Sequence, residues 1–100
     1  MDELDAARLQ IYSCEPDGSE AAICIVRCVG GIVRVGQNFY FSASTPGVDV
    51  HSPMRLNEII RYEKPVDFMD PPHSAKVYIS GAGVARLEHG VIITARQAEK

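Results

Sequence analysis

The chain has 100 residues, 46% of them hydrophobic and 23% charged, with a formal charge of -3. That is the size of one domain, too apolar for a disordered chain and too poor in Gly and Pro for a fibrous one. No apolar stretch approaches the roughly 20 residues of a membrane-spanning helix, and Met1 to Asp5 lacks the basic start and apolar run of an export signal.

Residues 1–7 read as a flexible acidic N-terminus. Leu9, Ile11 and Tyr12 predict a first strand over about 8–14, and Glu15-Pro16-Asp17-Gly18-Ser19 a turn, because Pro presets its φ and Gly supplies a positive one. Ala21 to Val29 (AAICIVRCV) is apolar, β-branched and bounded by turn residues, which predicts a strand. After Gly30-Gly31, Ile32 to Gly36 leads into Gln37 to Phe41, with Phe39 and Phe41 on one face and Tyr40 on the other. Ser42 to Pro53 is a polar loop. Met54 to Tyr62 fits two periods. A helix groups Leu56, Ile59 and Ile60, whereas a strand groups Leu56, Ile60 and Tyr62 with Glu58 beside them. Lys64 to His73 holds three prolines and reads as irregular. Ala75 to Ile79 alternates as a strand, Val84 to Leu87 is a short helical turn, Val91 to Ala95 is a last strand, and 96–100 is a tail. Six or seven short strands between Gly and Pro turns predict a single all-β domain over 8–95, a small antiparallel barrel or sandwich.

Charge is uneven. Residues 1–20 carry six acids and one base, 21–64 carry five bases and three acids, and 65–100 carry four of each. A segment of +2 falls short of the basic face of a free-standing nucleic-acid binder. Three cysteines, Cys14, Cys24 and Cys28, with no export signal, lead to the expectation of free thiols in a reducing cytosol. On a strand Cys24 and Cys28 share a face about 13 Å apart, too far for a bond. The histidines, His51, His73 and His89, are scattered through loops, so no metal site is expected. No Gly-x-Ser-x-Gly elbow occurs, and the loop carboxylates Asp67 and Asp70 lack the burial that raises a carboxyl pKa. The residues therefore point to no catalytic chemistry.

Two blocks carry a resemblance. In Ile23 to Phe41, a strand with Arg27 runs to Gly31, and Arg34-Val35-Gly36 steps into the next strand. In Leu56 to Thr94, Tyr62-Glu63-Lys64 ends a strand, Ala75 to Ile79 forms the next, and Leu87-Glu88-x-Gly90 precedes the last. Over about 80 residues this order resembles domain 2 of the translational GTPases of the elongation factor Tu type, a small β-barrel. Gly31, Gly36 and Gly90 then fall where such a barrel needs tight turns. The chain departs from the pattern at Asp70-Pro71-Pro72-His73 and at Gly18-Ser19-Glu20-Ala21. It has no Gly-x-x-x-x-Gly-Lys-Ser/Thr loop, so no nucleotide and no other cofactor is expected.

The resulting expectation is a non-catalytic binding module of the bacterial cytosol, a stand-alone barrel acting through protein contacts. Phe68 and Met69, flanked by acids, are the candidate contact residues. The alternative is translation-linked RNA or ribosome binding. It would run through a basic and aromatic face of Arg34, Arg61, Lys64 and Tyr62, since small barrels stack bases on rings inside a basic groove.

Overall fold

A computed structural model describes residues 6–42, 47 and 51–96. The proposed flexible terminus and tail fall largely outside these residues, as does most of the 42–53 loop. Among the described residues nine strands run in chain order: β1 (Arg8–Pro16), β2 (Ala21–Gly30), β3 (Val33–Arg34), β4 (Asn38–Phe41), β5 (Met54–Arg61), β6 (Lys64–Val66), β7 (Phe68–Met69), β8 (Ser74–Ser80) and β9 (Ile92–Arg96). A short 3-10 turn, Ala82–Arg86, links β8 to β9.

Every pairing among the described residues is antiparallel. The order β4-β9-β1-β2-β8-β5 closes on itself through a β4–β5 pairing, which makes a six-stranded barrel. Closure leaves few free edges, a solution open to a chain too short for a large sandwich. The closing seam has two parts. At one end β4 pairs with the start of β5, Asn38 opposite Arg55 and Phe39 opposite Met54. At the other, β6 pairs with the end of β5, while β7 pairs with β3. The chain from Lys64 to Met69 thus fills the gap where β3–β4 and β5 diverge. The prolines predicted an irregular segment there. Pro65 is accommodated because β6 is the terminal strand of its sheet, where a missing N–H costs no ladder bond.

Alternation builds the core. Ala22, Cys24, Val26 and Cys28 of β2, Phe39 and Phe41 of β4, and Ala75, Val77 and Ile79 of β8 point inward. Leu9, Ile11, Met54, Leu56, Ile59 and Ile93 join them, and the fully buried set among the described residues is wholly apolar. Each large side chain buried this way is worth about 1.5–3 kcal/mol. The two periods that compete over 54–62 resolve into a strand with a bulge: Leu56 faces Ile79 and Glu58 faces Tyr78, leaving Asn57 extra. The bulge shifts the alternation, so Met54, Leu56 and Ile59 point inward and Ile60 outward. Gly31, Gly36 and Gly90 have φ of 62°, 96° and 92°, the left-handed region that their turn positions require.

The expectation of three free thiols is overturned. A ten-residue spacing across the first hairpin places Cys14 directly opposite Cys24, and the two are joined as a disulfide. Cys28 alone is free, and it is buried.

Candidate functional site

The β5–β6 hairpin turns in two residues, since Arg61 pairs with Lys64. Tyr62 and Glu63 between them have φ of 53° and 66°. Both are therefore left-handed, as in a type I′ turn, where Asn-Gly is the usual occupant. For residues with a β-carbon the conformation costs roughly 1–2 kcal/mol each. Tyr62 is 86% exposed at this tip. The Arg61 guanidinium lies 5.4 Å from the centre of its ring, a cation–π distance.

Behind the tip, the outer face of the sheet forms a shallow groove. The register aligns Ile25 of β2, Lys76 of β8, Ile60 of β5 and Pro65 of β6 in one row. Tyr78 stands in the next row, between Ile23 and Glu58. The resulting depression, about 600 Å³, is lined by Ile25, Ile60, Tyr62 and Tyr78 with Arg61, Lys76, Glu63 and Ser74. Its lining combines the apolar Ile25, Ile60 and Tyr78 with two bases and one acid, and Lys76 stands between the two isoleucines.

The structure separates the expected contact residues. Arg61 and Tyr62 line the groove, and Lys64 stands across the hairpin from Arg61. Arg34 sits on the other ribbon, opposite Phe68 of β7. Its backbone N–H donates to Gln37 Oε1 at 2.7 Å. Phe68 is 50% exposed beside Arg34, and Ile32 and Val35 nearby in the chain are also exposed. Met69, the other expected protein contact, is fully buried opposite Val33. That expectation is corrected: on a strand, neighbours point to opposite faces, so Phe68 and Met69 cannot both face outward. Ile25, Ile60 and Lys76 were not singled out by sequence reasoning. The period of two puts Lys76 and Tyr78 on one face, but the register that brings them beside Ile25 and Ile60 is non-local.

Other polar side chains make contacts away from the groove. His73 Nδ1 lies 3.0 Å from Asp70 Oδ1 within one loop, and His89 Nδ1 lies 3.0 Å from the Tyr12 carbonyl, its ring stacked on Tyr12. Arg27 donates from Nε to the Pro72 carbonyl at 3.2 Å and tethers the proline loop to β2. Burial pushes the Cys28 thiol up, with nearby Asp70 adding to the effect, so thiolate is disfavoured there. Among the described residues no group of three or more His, Cys, Asp or Glu side chains is placed to hold a metal ion, and no helix is long and apolar enough to cross a membrane.

No protein-family model and no curated protein matches the chain. Among solved structures, the translation elongation factor SelB from Methanococcus maripaludis, in its apo form, matches with a TM-score of 0.75. Identity is 15%, and the match covers 93% of this chain and 19% of that one. The chain thus has the fold of a translation-factor β-barrel and spans about a fifth of that factor's length.

Proposed function

We propose that the chain is a non-catalytic binding module that acts through protein contacts, with the β5–β6 groove as its working face. The observation that carries this is Tyr62, held 86% exposed on a turn whose backbone its side chain disfavours, and lining one groove with Ile25, Ile60 and Tyr78. Tyrosine and arginine are the residues that dominate protein interfaces, set over an apolar centre and a polar rim of both signs. Ile25, Ile60 and Tyr78 supply the apolar surface here; Arg61 and Glu63 add both signs of charge, and Lys76 stands between the two isoleucines. Phe68 on the β3–β7 ribbon is a second contact of the same kind. The likeness to an elongation-factor barrel supports a translation-related setting for the partner.

RNA or ribosome binding is the competing reading, favoured by Arg61, Tyr62 and Lys64 on one hairpin. Capture from native lysate, with and without ribonuclease, separates the two. A nuclease-resistant partner is expected, bound about tenfold more weakly by Tyr62→Ala. That change leaves folding within about 0.5 kcal/mol, because the ring is exposed. A partner that Tyr62→Ala retains in full sinks the groove as the contact. Recovery of RNA-dependent partners, lost with nuclease and weakened by neutralising Arg34, Arg61 and Lys64, replaces the protein reading with the RNA one.

A further inference from the structure

The β1–β2 hairpin holds chemistry that the groove does not use. Cys14 and Cys24 stand opposite each other with Cα atoms 4.0 Å apart, joined through sulfur. Their access differs: Cys24 is fully buried, whereas Cys14 is only partly buried at the margin of the core. The strand carrying Cys14 also has two unlike halves. From Arg8 to Gln10, β1 lies between β2 and β9. Ile11 still exchanges backbone bonds with Gly90 and Val91. The register then slips at Tyr12, and Ser13 to Pro16 pairs, among the described residues, with β2 alone. Ser13, Glu15 and Pro16 are exposed, so little besides the disulfide and a short ladder ties down this outer half. β2 is independently held by β8 from Ala21 to Arg27.

We propose that Cys14–Cys24 is a thiol–disulfide exchange site, opened at Cys14 by a dithiol, and that opening releases the outer half of β1 from β2. A thiolate of the dithiol attacks Cys14 Sγ, the protein S–S bond breaks, and Cys24 leaves as a thiolate that takes up a proton. The second thiol of the reductant then attacks its own sulfur in the mixed disulfide. The reductant closes into a disulfide and Cys14 leaves and is protonated. Two electrons and two protons pass from the dithiol to the protein. Access selects the attacked sulfur, since exchange needs an approach to it. Release bares the backbone edge of β2 from Ala22 to Ile25, an unpaired edge able to accept another strand.

Three measurements on the full chain test this. With glutathione disulfide as probe, Cys24→Ala, which keeps Cys14, is expected to form a mixed disulfide about tenfold faster than Cys14→Ala, whose remaining thiols are both buried. Equal rates overturn attack at Cys14. Reduction of the unmodified chain with dithiothreitol, which needs no variant to fold, is expected to raise amide exchange at Ser13 to Glu15 about tenfold while β8 keeps its protection. Unchanged exchange at those amides overturns the release, as does loss of protection throughout the barrel. Three titratable thiols in protein purified without reductant overturn the bond itself.

Discussion

The two tight hairpins of this barrel solve the same problem in opposite ways. Between β1 and β2 the chain turns through Asp17-Gly18-Ser19-Glu20, and the Asp17 N–H donates to the Ala21 carbonyl at 2.9 Å. Gly18 takes a φ of 96°, with no atom near the place a β-carbon would fill. Residue type and backbone agree, and a disulfide locks the strands behind the turn. Between β5 and β6 the chain turns through Tyr62-Glu63, both left-handed and neither Gly nor Asn. There residue type and backbone disagree, and the rest of the barrel must hold the turn. That local conflict, sustained by the surrounding structure with an exposed aromatic ring at its tip, is the feature on which the proposed binding face rests.

Breaking the matched hairpin has the largest expected effect. Closing a loop of about ten residues with a disulfide is worth about 2–3 kcal/mol. Replacing both Cys14 and Cys24 with Ala is therefore expected to lower the denaturant midpoint by that much free energy. A domain with ordinary stability of about 5–15 kcal/mol stays folded after such a loss. The comparison fails if the double variant matches the parent, since the bond then does not restrain the native hairpin. Gly18→Ala comes next, at about 1 kcal/mol. Space around Gly18 is open, so the cost is conformational: φ of 96° lies beyond the left-handed well that a residue with a β-carbon tolerates. A cost near zero in a denaturant titration would mean that the turn simply rearranges.

Much of this architecture is legible in local sequence. Alternation marks β2 and β8, the Pro-Asp-Gly turn marks the first hairpin, and Gly31, Gly36 and Gly90 mark the left-handed turns. What escapes local reading depends on partners distant in the chain. Asn57 is a bulge in the ladder with β8, where Leu56 faces Ile79 and Glu58 faces Tyr78. That one extra residue decides whether Ile59 or Ile60 enters the core. Cys14 and Cys24 meet because of a slip at Tyr12 that no periodicity announces. Short strands in the proline-rich segment form because a seam needs filling, against their local preference. The candidate groove is legible in part: Arg61 and Tyr62 stand out as a basic-aromatic pair, while Ile25 and Lys76 join them only through register.

The mismatched hairpin gives the smallest effect, with the opposite sign. Glu63→Gly removes a left-handed penalty of roughly 1–2 kcal/mol. It also loosens the unfolded chain, which returns about 0.4–1 kcal/mol of that gain. The net expectation is a stabilisation of about 0.5 kcal/mol, read as a higher denaturant midpoint at constant m-value. This sign is what separates the hairpins: adding a β-carbon at Gly18 harms the first, and removing one at Glu63 helps the second. A loss of stability in Glu63→Gly would mean that the carboxylate contributes more through its surroundings than its backbone costs. The turn would then be structurally optimal, and its exposed tyrosine would no longer stand out as a residue held there for binding.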